Sequence, residues 1–280
     1  MRRWPCLAAA VLAVVGVVPL PAASAGTPLP TPAHIVIVIE ENKPDSAVIG
    51  NKSAPYINAL ANSGANMTQS FAEAHPSEPN YLALFSGSTF GLTSDACPVD
   101  AGAAPNLASE LLAAGYTFAG FSEDLPAVGS PACSAGKYAR KHAPWVNFTN
   151  VPAATSVPFS AFNNRQDYAS LPTVSFVIPN LDNDMHDGTI AAADTWLYNN
   201  LSHYANWAVA NNSLLILTFD EDDGGSKNQI PTVIYGAHVK PGSYSEAISH
   251  YNVLATIEDM YGLPRTGLAA KAAAIPDVWA

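Results

Sequence analysis

Short aliphatic runs alternate along this chain with stretches of helical period, and that alternation limits the fold more than any other feature. Residues 34–39 (HIVIVI) are almost continuous in Ile and Val, the pattern of a strand buried on both faces. Residues 53–63 read as a helix with Ser53 as N-cap, Pro55 in its first turn and Gly64 past its end. A second strand is expected over 65–71, a helix over 78–85 closing near Gly87, a helix over 106–114 stopped by Gly115, and a strand over 116–121. Residues 122–170 show no clear period and read as elaborated loops. Strands follow at 173–178 (TVSFVI), 213–219 (SLLILTF) and 232–235. A long helix capped by Thr189 separates the first two, and a last helix runs from Ser249 to Tyr261. Such alternation predicts an α/β chain, a three-layer α/β/α sandwich with a mostly parallel central sheet.

The ionisable residues fall where such a sheet would use them. Glu40-Glu41-Asn42 end the first strand, and His75-Pro76-Ser77 follow the second. Asp182, His186 and Asp187 follow the strand at 173–178, and Asp220-Glu221-Asp222-Asp223 follow the strand at 213–219. Open α/β sheets bind ligands beyond the carboxyl ends of their strands, so the four clusters are expected along one edge. Carboxylates gathered that closely repel unless a cation holds them, which predicts a metal site. Each cluster alone has an ordinary reading. The acidic pairs could be solvated turns, Ser77 a helix cap, and His250 a residue of a first helical turn. Their convergence on one edge favours the site. His34, His203 and His238 lack such company, and Trp145, Trp196 and Trp207 read as packing residues.

The chain's beginning and its composition bound where it works. Arg2-Arg3, an apolar run from Leu7 to Leu20 and the small residues Ala23-Ser24-Ala25 read as a secretory signal peptide over 1–25, so that 26–280 is expected to form a single domain. A membrane anchor would need roughly 20 apolar residues, and this run is shorter and broken by Pro19 and Pro21. A secreted protein without a stable membrane anchor is therefore expected. Cys6 leaves with the signal peptide, so Cys97 and Cys133 form an even pair in an oxidising compartment and are expected to be disulfide-bonded. The net charge of −11 and the lack of a basic patch argue against nucleic acid as a partner. An anionic substrate must then be drawn in by local positive charge, such as a metal ion.

Several segments carry a resemblance. His75-Pro-Ser-Glu-Pro-Asn-Tyr-Leu-Ala-Leu-Phe-Ser-Gly87 resembles the nucleophile segment of bacterial and fungal acid phosphatases, in the phosphoesterase family that also contains bacterial phospholipases C. Val38-Ile-Glu-Glu-Asn42, Tyr138-Ala-Arg-Lys-His-Ala-Pro144 and Thr218-Phe-Asp-Glu-Asp222 are similar to further motifs of that family, and residues 250–259 to its C-terminal helix. The resemblance implies the alkaline-phosphatase-like fold and a metal-dependent acid phosphatase acting on small phosphate monoesters through a phosphoserine. It implies Ser77 as nucleophile, and Glu41, Ser77, Asp220 and Glu221 around the principal metal. Asn42 would bond a phosphoryl oxygen, and His142 and His186 would contact the phosphate or protonate the leaving group. Asp182, His186 and His250 fall where relatives with two metals bind the second ion. Carboxylates with one or two histidines suit Ca, Mn, Fe or Zn, as one ion or two. Glu40 beside Glu41 leaves a one-residue ambiguity, since both could lie near the site, and the following Asn favours Glu41.

The residues agree with this chemistry. A serine hydroxyl needs a base or a metal to become a nucleophile, and the G-x-S-x-G elbow of serine hydrolases is absent. The loop over about 96–140 is expected to cap the site. A phospholipase C or other phosphodiesterase on the same site is one rival, and a secreted binding protein without activity is another. The binding protein would be favoured by a missing site residue, and every expected position is filled.

Overall fold

The structure, a computed structural model, describes Met1, residues 28–163 and residues 167–280. The expected signal peptide lies outside the described residues apart from Met1. Strand β1 (His34–Glu40) runs through the middle of an eight-stranded sheet with β2 (Ala65–Met67), β4 (Phe118–Ser122), β7 (Ser156–Pro158), β8 (Val174–Ile178), β9 (Ser213–Phe219), β10 (Thr232–Gly236) and β11 (Gly242–Tyr244). The strand order is β11-β2-β10-β9-β1-β8-β4-β7. β10 pairs antiparallel with both β9 and β2, and every other pairing in this sheet is parallel, so β10 alone runs against its neighbours. Two-residue strands make two small sheets, β3 (Ser70–Phe71) with β12 (Ile248–Ser249), and β5 (Ser134–Ala135) with β6 (Tyr138–Ala139).

The alternation of side chains along β1 sends Ile35, Ile37 and Ile39 to one face and Val36 and Val38 to the other. On the first face they meet α3 (Ser77–Ser86) and α7 (His250–Met260) through Tyr81, Phe85, Leu254 and Ile257. On the second they meet α2 (Pro55–Ser63) and the long α6 (Ile190–Ala210) through Ile57, Leu60, Leu197 and Leu201. Three short helices, α1 (Asp45–Val48), α4 (Leu107–Ala113) and α5 (Ser160–Asn163), complete the chain order. This is the predicted sandwich. All ten residues of α3 are buried, which places Ser77 at the start of a helix embedded in the protein. Gly87 ends α3 with φ +69, a conformation that favours glycine, and a Cβ there would lie 2.3 Å from the Thr266 carbonyl oxygen.

Three local expectations need correction. Ser53 does not cap α2: its N-cap is Ala54, and Asp194 of α6 accepts from the amides of Tyr56 and Ile57 instead (3.1 and 2.8 Å). A carboxylate from a packed neighbour thus does the work of a local cap. The expected strand over 65–71 divides into β2 and β3, which join different sheets. The region 122–170, read as loop, contributes the edge strand β7, whose three residues are too few to show a period.

Cys97 and Cys133 are disulfide-bonded, 36 residues apart. On the chain-entropy model a loop of that length restrains the unfolded chain by about 4 kcal/mol. The Cys97→Ser/Cys133→Ser double variant is expected to melt about 10 °C below the parent in thermal unfolding. A melting point within about 2 °C of the parent would show that the loop is held by its packing alone.

Candidate active site

The ends of β1 and β9 bring the first acids together. The sheet's backbone bonding continues past the strands: the Asp220 amide donates to the Glu40 carbonyl (3.0 Å) and the Glu41 amide to the Asp184 carbonyl (2.7 Å). Side-chain alternation then separates the two glutamates. Glu40 falls on the α6 side, buried, with neither carboxylate oxygen hydrogen-bonded. Glu41 falls on the α3 side and meets Ser77, Tyr81 and His142. Asn42 turns the chain at the edge with φ +48, which Asn tolerates, and its amide donates to Asp220 Oδ1 (3.1 Å).

Ser77 Oγ lies 3.2 Å from Glu41 Oε2 and 3.1 Å from Glu221 Oε1. Its single proton can serve one of them at a time. Tyr81, one turn further along α3, donates a short hydrogen bond to Glu41 and stacks on the His142 ring at 4.9 Å between centroids. His75 Nδ1 makes a short contact with Glu221, and its Nε2 lies 3.5 Å from Asp222. A cleft of about 430 Å³ opens over this group, lined by Asn42, Lys43, His75, Pro76 and Glu221 among others.

Glu41, His142 and Asp184 form the one group among the described residues whose metal-ligating atoms all lie within 4.8 Å of one another. All three are buried. His142 Nε2, 3.1 Å from Glu41 Oε1, makes no hydrogen bond, and neither do Asp184 Oδ2, 3.4 Å from His142 Nδ1, and the nearby Asp220 Oδ2. Orphaned buried oxygens and an orphaned imidazole nitrogen are costly unless a cation engages them, so these residues fit a divalent metal ion. Burial, with the neighbouring Lys141 charge, holds the His142 imidazole well below its usual range. It is therefore neutral, the form that binds metal. Burial, reinforced by Asp220 and Asp184, pushes the Glu41 carboxyl well up, and burial does the same to Asp184 and Asp220.

These shifts set a pH dependence. A carboxyl with a raised folded-state pKa binds its proton more tightly when folded, so its stabilising contribution is lost as pH rises through the folded value. His142 and His250, both lowered by burial, act the opposite way, but only below the free-imidazole range of about 6.5. Between about pH 6.5 and 8.5 the carboxyls dominate. The chelated protein is therefore expected to melt at a lower temperature at the upper end of that window, with added divalent metal reducing the difference. Equal melting points for the chelated protein at both pH values would contradict the raised carboxyls.

Most of the expected residues meet here: Glu41, Asn42, Ser77, His142, Asp220 and Glu221. His186 stands at the margin, its ring 6.0 Å from that of His142 and its Nδ1 2.8 Å from Asp187. Asp182 and His250 are not brought together with it. Asp182 is exposed and pairs with Lys137 at 2.7 Å. His250 is buried, with Nε2 2.9 Å from the Phe219 carbonyl oxygen. Asp184 belongs to this group yet was not expected from the sequence, although it lies two residues from both Asp182 and His186. Tyr81, expected only as part of the helix over 78–85, joins it too.

The sandwich, with acids, a buried histidine and a helix-start serine at its carboxyl edge, has the fold of the alkaline phosphatase superfamily. The fold is similar to a superfamily protein from Vibrio parahaemolyticus (TM-score 0.60, 13% identity, covering 89% of this chain and 70% of that one). It is also similar to the lipoteichoic acid synthase LtaP from Listeria monocytogenes (TM-score 0.61, 12% identity, 84% and 73%). The chain belongs to the Phosphoesterase family, whose sequence model matches residues 47–264. That makes it a hydrolase of phosphate esters. It is 68% identical over 274 residues to a phosphatidylinositol-3-phosphatase of Mycobacterium tuberculosis, covering 98% of this chain and 91% of that protein. It is 31% identical to a probable acid phosphatase of Kluyveromyces lactis and to a phosphate-repressible acid phosphatase of Penicillium chrysogenum. Those matches cover 82% and 75% of this chain but only 58% and 55% of the fungal proteins. Among the described residues, no helix is long and apolar enough to cross a membrane.

Proposed function

We propose that this chain is an exported, metal-dependent phosphatase that cleaves phosphate monoesters with Ser77 as nucleophile. The observation that carries the reading is the Ser77 hydroxyl, held between Glu41 and Glu221 beside the buried Glu41–His142–Asp184 group. One divalent ion would be held by Glu41, His142 and Asp184, with Asp220 alongside; Ca, Mn, Fe and Zn all accept such donors. When bound, a divalent ion supplies positive charge that offsets the carboxylates, polarises the ester and favours ionised serine.

The chain's own residues divide the remaining work. Glu41 and Glu221 are both within reach of the Ser77 proton. Tyr81, itself stacked on His142, donates to the Glu41 carboxylate and limits its rotation. Asn42, in the lining of the cleft, would donate its side-chain amide to a phosphoryl oxygen. His186 would contact the phosphate at the mouth or protonate the leaving oxygen. Attack by Ser77 Oγ on phosphorus forms the Ser–O–P bond as the ester oxygen leaves with a proton, and water then releases phosphate from the serine. Asp182 and His250 take no part in the proposed site.

Phosphatidylinositol 3-phosphate is proposed as a substrate on the strength of the 68% identical relative that bears that activity in its name. Export, with residues 1–25 removed and 26–280 as one catalytic unit, is supported by the leader pattern and by the disulfide. N-terminal sequencing of protein from culture medium tests it, and an uncleaved Met1 would reject it. The activity is tested with p-nitrophenyl phosphate, bis-p-nitrophenyl phosphate and phosphatidylinositol 3-phosphate, each with and without chelator. Chelator-sensitive release of phosphate from the monoesters is expected. A preference for the diester would make the chain a phosphodiesterase, and turnover untouched by chelation would reject the metal.

A further inference from the structure

We propose that Lys141 is a further catalytic residue of this site, binding a non-bridging phosphoryl oxygen, and that the Asp95 carboxylate occupies this anion position until substrate displaces it. The proposal rests on the phosphatase reading above. Lys141 and His142 are neighbours in a short 3-10 turn, Arg140–His142. His142 points into the buried acid group, while Lys141 reaches the partly exposed mouth. There its Nζ lies 2.8 Å from Asp95 Oδ2 and 3.3 Å from His186 Nε2. An ammonium only donates, so a hydrogen bond between the two has His186 Nε2 as its acceptor.

The site's acids act on this ammonium. Glu41, Asp184 and Asp220 all lie close enough to interact with the Lys141 charge. A phosphate dianion approaching those acids needs positive charge besides a metal ion. Among the described residues, the other lysine and arginine side chains nearby are engaged elsewhere. Lys43 Nζ bonds the carbonyls of Asn42 and Met185, both at 3.1 Å. Arg140 bonds the carbonyls of Pro131 and Val146 and the Asn147 side chain. Lys137 pairs with Asp182 and Asp187.

Asp95 shows what Lys141 is suited to hold. Its Oδ2 takes the Lys141 ammonium, and its Oδ1 takes the backbone amide of Glu78, the residue after Ser77, at 3.0 Å. A carboxylate thus spans an ammonium and an amide one residue from the nucleophile. It comes from the segment between α3 and α4, two positions before the disulfide-bonded Cys97. A phosphate monoester offers these donors oxygens of the same kind with a greater charge, so substrate can replace Asp95 without stranding Lys141. A diester carries one charge fewer and gains less from the exchange.

The test is titration of inorganic phosphate into the full chain, with monoester and diester kinetics alongside, for the parent, Lys141→Met, Lys141→Arg and Asp95→Asn. Lys141→Met is expected to weaken phosphate binding about tenfold or more and to raise the monoester KM more than the diester KM. Lys141→Arg should recover most of the loss, because it restores the charge. Asp95→Asn keeps an acceptor for the Glu78 amide and should tighten phosphate binding several-fold. Phosphate binding by Lys141→Met within about twofold of the parent, with melting points unchanged, would overturn the proposal, since a lost ionic contact costs more than that. So would weaker binding by Asp95→Asn, or no phosphate binding by the parent. Phosphate titration needs no turnover, so a parent that hydrolyses no ester rejects the phosphatase reading while this arm still decides on Lys141.

Discussion

Ser77→Ala should lower kcat on p-nitrophenyl phosphate by about 10⁴-fold or more, equivalent to about 5 kcal/mol of lost transition-state stabilisation. The expectation follows from position. Ser77 opens a wholly buried helix, and its hydroxyl is aimed by the helix at Glu41 and Glu221. Alanine preserves the helix and removes the one atom that can attack phosphorus. It also leaves two carboxylates facing each other without a proton between them, so the chelated variant should be no more stable than the parent. Metal binding should survive, because Glu41, His142 and Asp184 are untouched. The measurement is steady-state kinetics beside the metal-induced rise in melting temperature. A loss of less than about tenfold, with the metal-induced rise intact, would move the nucleophile to water or to another side chain.

Glu41→Gln should have two effects of opposite sign. Activity should fall by at least about 10³-fold, since the variant lacks a charged donor at the centre of the group. The chelated protein should nevertheless gain stability. Glu41 is buried, with Asp220 and Asp184 both raising its pKa. Whether ionised there or held protonated against its ordinary range, a carboxyl in that position costs stability at neutral pH. Glutamine has nearly the same shape, removes the charge and can still accept from Tyr81 and Ser77. Thermal unfolding at neutral pH should therefore show the chelated variant melting several degrees above the chelated parent. Adding Mn or Ca should raise the melting point of the parent and leave the variant in place. A parent and variant with the same metal-induced rise would remove Glu41 from the proposed metal group.

The sequence disclosed the residues whose place is fixed by an element end. Glu41 follows β1, Asp220 and Glu221 follow β9, and Ser77 starts α3. The carboxyl-edge rule therefore assembled them without knowledge of strand order. Alternation along β1 also separates Glu40 from Glu41, a distinction the sequence alone left to the neighbouring Asn42. Residues placed by loops were harder to read. Asp184 reaches the site because its carbonyl accepts the Glu41 amide, a long-range bond with no local signature. Asp182 has the same chemistry and distance along the chain, yet it turns outward to Lys137. Asp95 lies in a segment without period, and its role appears only once Lys141 and the Glu78 amide are placed beside it. The α2 cap shows the same limit: Ser53 was the natural local choice, and Asp194 supplied the oxygens from across the α2–α6 contact.

The reversed strand β10 has a consequence for how such a protein can change. A parallel successor to β9 would have carried the chain to the far end of the sheet. An antiparallel one begins at the end where β9 stops, so residues 220–231 leave and re-enter at the carboxyl edge. Both stalks of this segment are anchored beside the cleft it helps to line. Insertions and deletions there alter the cleft wall while the strand pairing behind it stays in register. The length of this segment thus sets the cleft wall, while the register of β9 against β10 is set behind it.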